Sequence, residues 1–320
     1  MAQAAATAAQ QAVGKEPRTN RYRKYAPLLI MMIPGLLYLL INNYLPMFGL
    51  IIAFKDVNFS KGILDSDWVG FANFEYLFKT SDAYIITRNT ILYNLVFILL
   101  GTVLSLACAI LLNEIKNRTL LKAYQSIITL PHLISMVIVS YLVFALLSPE
   151  TGFLNKTVLP WLGIDEGIMW YSETKYWPWI LTIVNFWKTV GYSSIVYFAA
   201  LLGIDEEYYE AARLDGASRL QQILRITIPI LTPVIIMLTL LNVGRIFYSD
   251  FGLFYQVPLN SGALFETTAT IDTYVFRGLM GTSDIGMSTA AGFYQSIVGF
   301  ILVMLANYIV RLKNKDNALF

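Results

Sequence analysis

Apolar residues in this chain come in long unbroken runs, not in the alternation of a half-buried strand or the narrow stripe of a surface helix. Six runs, 27–52, 90–113, 124–147, 178–202, 226–244 and 289–310, are each about 20 residues long, the length a helix needs to cross a bilayer's hydrocarbon core. The pattern predicts an all-α membrane protein with six transmembrane helices. The first run starts too far along the chain and is too long for a signal peptide, and no small-residue cleavage site follows it, so it is expected to remain as a helix. Three connections, centred on Phe71, Trp161 and Ser261, are long, aromatic and punctuated by turn signals such as Ser60-Lys61-Gly62. In the last, Ile271, Tyr274, Val275 and Leu279 follow helical spacing and predict a short helix along the membrane face. The Ala/Gln-rich stretch 1–13 has no apolar face to bury and reads as a disordered tail. No internal repeat is visible.

Composition sharpens this picture. Of the 320 residues 57% are hydrophobic and 14% charged, against about 25% charged in soluble domains, so lipid must supply the missing contrast. The net charge of +2 excludes a strongly basic nucleic-acid binder, and a single cysteine, Cys108, excludes an intramolecular disulfide or a cysteine zinc cluster. Lys and Arg set the orientation. Lys15, Arg18, Arg21, Arg23 and Lys24 precede the first run; Lys116, Arg118 and Lys122 sit in the second connection; Arg213, Arg219 and Arg225 sit in the fourth; Arg311, Lys313 and Lys315 follow the sixth. These 14 of 23 basic residues share one side, which the positive-inside rule makes the cytoplasm, with both termini inside. Trp68, Trp161, Trp170, Trp177 and Trp179 all fall on the opposite side, where amphipathic rings favour the interface.

Catalytic clusters are missing. One histidine, His132, cannot make a two-histidine zinc site, and no nucleophile elbow or phosphate-cradling Gly-x4-Gly-Lys-Ser/Thr loop occurs. His132 follows Pro131 in the third run and reads as an imidazole bonded to a neighbouring helix beside a proline kink. None of the six runs carries Asp or Glu, which argues against ion- or proton-driven transport.

The informative segment joins the fourth and fifth runs: Asp205-Glu206-Glu207-Tyr208-Tyr209-Glu210-Ala211-Ala212-Arg213-Leu214-Asp215-Gly216-Ala217-Ser218. It predicts two short helices with a break. Asp205 can cap the first, whose acidic first turn suits the helix dipole, and Gly216 supplies the permissive backbone that ends it. Ser218, with Gln221 at capping-box spacing, can start the second. On physical grounds alone this is either a docking knob or an interfacial helix pair linking two spans.

The spacing Glu210-Ala211-Ala212, then Gly216, then Ile226-x-Ile228-Pro229 closely resembles the coupling loop of the type I importer family of ATP-binding-cassette permeases, departing only at Ile228, where the family favours Leu. Arg118-Thr119-Leu120 leading to Leu130-Pro131, and Asn242-Val243-Gly244-Arg245-Ile246-Phe247-Tyr248-Ser249-Asp250-Phe251, resemble carbohydrate-uptake permeases, especially those handling oligo- or polysaccharides. The resemblance implies a five-helix permease core over 88–312 with a coupling loop at 203–225. Before the core lie a cytoplasmic basic tail (1–24) and a first helix with its outer loop (25–87); a cytoplasmic tail (313–320) follows it. It also implies that Glu210, Ala211, Ala212, Asp215 and Gly216 dock on a separate ATPase. No cofactor is expected on this chain, since ATP and Mg would be held by two partner ATPase subunits. A second, different permease, an extracellular solute-binding protein, a carbohydrate substrate and the bacterial plasma membrane are the other implied partners.

Within the spans, Lys188 is the one formal charge at depth, and Asn185, Lys188 and Tyr192 make a polar stripe on one helical face. Burial against lipid would be costly, so Lys188 should face either a cavity or a second subunit. Arg245, with Asn242 and Tyr248 a turn to either side, either snorkels to the interface or meets sugar hydroxyls or a carboxylate. Tyr294 and Gln295 are further substrate-path candidates. Other readings of the chain are a permease for peptides or amino acids, or a membrane scaffold or enzyme.

Overall fold

A computed structural model describes residues 18–164, 166–282 and 285–313. The stretch 1–13, Lys15 and Lys315 lie outside the described residues, and so does most of the 313–320 tail. The fold is predominantly helical and divides into two units, residues 1–51 and 52–320.

Helix α1 (Arg18–Leu39), in the first unit, passes through a π-turn (Leu40–Tyr44) into a 3-10 segment (Leu45–Phe54) whose residues 52–54 already belong to the second. Residues Tyr25–Phe54 are long and apolar enough to cross a membrane.

The second unit opens with a two-stranded hairpin, β1 (Lys55–Asp56) against β2 (Asp67–Trp68). It then continues through α2 (Ala72–Lys79), α3 (Ser81–Asn113), α4 (Arg118–Leu133), α5 (Met136–Leu147), α6 (Trp177–Leu201), α7 (Glu206–Leu214), α8 (Arg219–Gln222), α9 (Ile228–Val243), α10 (Ile271–Arg277) and α11 (Ile285–Lys313). Short helical turns lie in the connections after α5, α8, α9 and α10. The helix predicted from Ile271 is α10, whose helical course continues as a π-turn past Leu279.

Three apolar cores hold the helices together. Near the start of α6, Trp177, Leu181 and Val184 pack with Tyr93, with Val139 and Val143 of α5, and with Leu253, Phe254 and Leu264. A second core joins Leu77, Ile86, Phe247, Ile271 and Ala291. At the far ends of α3 and α6, Ala109, Leu112, Tyr197, Phe198 and Leu201 pack on Leu231 of α9. The helices between these cores keep many large apolar side chains exposed, such as Leu99, Leu100, Ile183 and Phe300, as helices facing lipid do.

Two expectations change. The third run, 124–147, is not one helix: α4 and α5 meet at a 94° bend across Ile134 and Ser135, much sharper than a proline kink. Trp177 is no interfacial anchor. It is fully buried, donating its indole N–H to the Trp170 carbonyl at 2.7 Å, while Trp170 donates to Asn155 at 2.8 Å. Trp68, Trp161 and Trp179 are the exposed members of that set. Among the described residues, four helices meet the length and composition of a membrane span, or five if the bent pair counts as one. The 25-residue α6 is long enough, but Asn185, Lys188 and several hydroxyls leave it outside that set.

Candidate functional site

Two places combine exposure, polarity and precise construction. The first is the elbow between α6 and α9. Asp205 caps α7, its carboxylate accepting from the Glu207 amide at 3.2 Å. Gly216 follows at φ +79°, and the Ala217 amide reaches back to the Ala212 carbonyl at 2.9 Å. A residue with a Cβ resists that left-handed backbone, so glycine is the natural stop. Ser218 and Gln221 then form the reciprocal capping box that starts α8. Glu210, Ala211, Asp215 and Gly216 are exposed and Ala212 is half-buried. Leu214 is 90% exposed at the tip of α7, a large apolar side chain that the described residues leave uncovered. The underside is tied down by Tyr209 Oη against Thr227 Oγ1 at 2.9 Å, by buried Gln222 donating to the Ala217 carbonyl, and by an Arg219–Glu114 ion pair at 3.2 Å that reaches the end of α3. The elbow is therefore a firm projection with an exposed face.

The second place is a cavity of about 600 Å³ between α3, α6 and the end of α9. Asn185, Tyr192, Asn242, Arg245 and Tyr248 all line it, with Asn94, Thr189, Ser249 and Asp250. Past α9 the chain turns through Arg245 to Tyr248, and three helices clamp that turn. Asn94 of α3 donates to the Ile246 and Tyr248 carbonyls at 2.9 and 3.1 Å. Asp272 of α10 accepts from the Ser249 amide and hydroxyl, both at 2.7 Å. Gln295 of α11 donates to the Phe247 carbonyl at 2.6 Å and to Asp272 at 3.1 Å. Arg245 itself is exposed, and no ion pair among the described residues includes it. The cavity thus presents hydroxyls, amides, one guanidinium and one carboxylate on a fixed frame.

Three candidates stand elsewhere. Gln295 is buried in the clamp, and Tyr294 packs edge-on against Phe78 and Phe247. Lys188 is buried and turned to the carbonyls of Pro131, His132 and Ile134. His132 makes a stack in place of the expected hydrogen-bonded arrangement: its ring lies on Tyr192 with centroids 4.2 Å apart. Asn94 and Asp272 escaped sequence reasoning. A polar residue amid the apolar run of α3 was the available signal for Asn94; Asp272, in a polar connection, offered none.

Membrane-length helices around a polar cavity, with a capped elbow projecting from them, define a transport subunit. The chain belongs to the family described as binding-protein-dependent transport system inner membrane component, whose model matches residues 101–315. It is 36% identical to protein LplB of Bacillus subtilis (strain 168) over 89% of this chain and 88% of that one. It is 33% identical to the polygalacturonan/rhamnogalacturonan transport system permease protein YteP of the same organism, over 97% of each. Among solved structures it resembles a chain of a bacterial ABC transporter importing the acidic polysaccharide alginate, at 32% identity and a TM-score of 0.84, with 93% of this chain and 100% of that one covered. A second structure of a bacterial alginate transporter, in complex with alginate pentasaccharide-bound periplasmic protein, matches at the same identity and TM-score, with 94% and 99% covered.

Proposed function

We propose that this chain is one permease subunit of an ATP-driven importer of oligosaccharides, with saccharides that bear carboxylates as its preferred cargo. In this reading the chain spans the bacterial plasma membrane six times with both termini in the cytoplasm. The elbow docks on one of two ATPase subunits, which hold the ATP and Mg, and Glu210, Ala211, Ala212, Asp215 and Gly216 form the contact. A second permease closes the pathway, and a solute-binding protein delivers cargo from outside.

The observation that carries the reading is the elbow: a rigid, doubly capped projection whose tip exposes Leu214. Such a surface suits a protein cleft, and this chain carries no phosphate-cradling sequence of its own. The choice of cargo is supported by the cavity. Asn185, Tyr192, Asn242 and Tyr248 offer the hydrogen-bonding and ring surfaces that sugars use, and Arg245 offers a guanidinium to a carboxylate. Relatives named for alginate and for polygalacturonan, a polymer of a uronic acid, agree with that chemistry.

The test is uptake by the complex co-purified with this chain and reconstituted in liposomes, using alginate pentasaccharide, trigalacturonate and maltopentaose with the solute-binding protein. ATP-dependent uptake of an acidic oligomer, reduced by Arg245→Gln more than any uptake of maltopentaose, is the expected result. Co-purification without an ATPase, or uptake of none of the three, would overturn the reading.

A further inference from the structure

The bend between α4 and α5 is built around a charge. Where the chain breaks at Ile134, the last carbonyls of α4 lose the amides that a continuing helix would supply, and Pro131 has no N–H to offer. Non-helical backbone at membrane depth persists only where protein groups or the water of a cavity satisfy it. Lys188 of α6 does so. It is 8% exposed, and its ammonium donates to the Pro131 carbonyl at 3.2 Å, to the His132 carbonyl at 3.1 Å and to the Ile134 carbonyl. The cation also sits where the negative end of the helix dipole falls.

The same junction is locked from two more sides. Gly191, one turn beyond Lys188, touches the α4 backbone so closely that a Cβ there would come within 1.9 Å of the Ile128 carbonyl oxygen. A Cβ on Gly252, just past the clamped turn that carries Arg245, would meet Met136 of α5 at 2.6 Å. The His132 ring, at the end of α4, lies flat on Tyr192, which lines the cavity. The junction therefore touches both walls of the cavity without lining it.

We propose that Lys188 is a positioning residue of the transport pathway: it fixes the α4–α5 break as a rigid joint, and the His132–Tyr192 stack carries that fixed position to the cavity wall. Motion delivered at the elbow then reaches the wall without being absorbed by flexing at the break. The proposal rests on the importer reading, and it gives the ammonium a role in geometry and none in holding cargo.

The experiment measures saccharide imported per ATP hydrolysed by the reconstituted complex, with whichever of alginate pentasaccharide, trigalacturonate and maltopentaose the native complex imports. Lys188→Met should lower that ratio at least about fivefold in the complexes that assemble, and Lys188→Arg, which keeps a cation and several donors, should restore most of it. Amide hydrogen exchange should rise across 130–138 in Lys188→Met only. His132→Ala should lower the ratio with assembly intact, and His132→Phe, which keeps a ring against Tyr192, should not. A purely structural role would reduce the amount of assembled complex and leave the ratio of the survivors native. That result in Lys188→Met, or in His132→Ala if Lys188→Met fails to assemble, overturns the proposal. A native complex that imports none of the three defeats the importer reading, whereas native uptake with variants at the native ratio defeats only the joint.

Discussion

The elbow after α6 and the break between α4 and α5 are both interrupted helices, yet they are held in opposite ways. At the elbow the capping groups lie within a few residues of the atoms they satisfy: Asp205 on Glu207, Ala217 on Ala212, Ser218 and Gln221 on each other. At the break the decisive donor, Lys188, comes from 54 to 57 residues further along the chain. The elbow can also be finished by water on its exposed face, while at the break the carbonyls turn to a buried cation of another helix. Local capping builds a projection that keeps its shape when a partner pushes on it; a remote cation builds a joint that exists only once two helices have packed.

The contrast is broken most severely at the joint. Replacing Lys188 by Met leaves the Pro131 carbonyl with only the Ile134 amide at 3.3 Å and takes the Lys188 donor from the His132 and Ile134 carbonyls, and each group left without a partner costs about 1–3 kcal/mol. A loss of about 3 kcal/mol or more is expected, read as a large drop in the melting temperature of the complex in lipid nanodiscs. At the elbow the largest single effect should come from Gly216→Ala, because an L-residue forced into the left-handed region loses about 1–2 kcal/mol. Its melting temperature should move little, since the elbow lies outside the cores, but cargo-stimulated ATP hydrolysis should fall; Gly216→Asn, which tolerates that conformation, should retain more of it.

The smallest effect sharpens the comparison in the connection before α6. The Tyr171 hydroxyl is buried without a hydrogen-bond partner among the described residues, and burial pushes its phenol up to about 12. Where Lys188 shows a buried polar group fully used, Tyr171 shows one unused. Tyr171→Phe should therefore be neutral or raise stability by up to about 1 kcal/mol, measured by the same melting experiment.

This difference in range explains what the sequence made legible. Capping residues announce themselves because side chain and target are neighbours, so Asp205, Gly216 and the Ser218–Gln221 pair could be read directly. Apolar runs likewise marked the helices. Pro131 announced a disturbance but not a 94° turn, since the groups that stabilise the turn lie on another helix. The polar stripe on α6 splits between two surroundings: Asn185 and Tyr192 line the cavity, while Lys188 turns to α4. Successive residues rotate by about 100° around a helix, so Lys188 is offset by about 60° from Asn185. That suffices to turn it from the cavity toward α4. Trp177 failed for a related reason: position at the head of a span predicts an interfacial ring, but Trp170 and Asn155, folded back from the preceding connection, provide a buried hydrogen-bonded niche.

In the proposed function, a separate ATPase drives this pathway subunit through its elbow. That coupling is tested most directly by measuring cargo-stimulated ATP hydrolysis in the reconstituted complex carrying Glu210→Lys, which reverses a charge on the exposed face of α7 without touching either cap. The permease subunits should still assemble in the membrane while stimulation by cargo is lost. Stimulation at the native level in that variant, or ATP hydrolysis by this chain purified alone, would contradict the coupling.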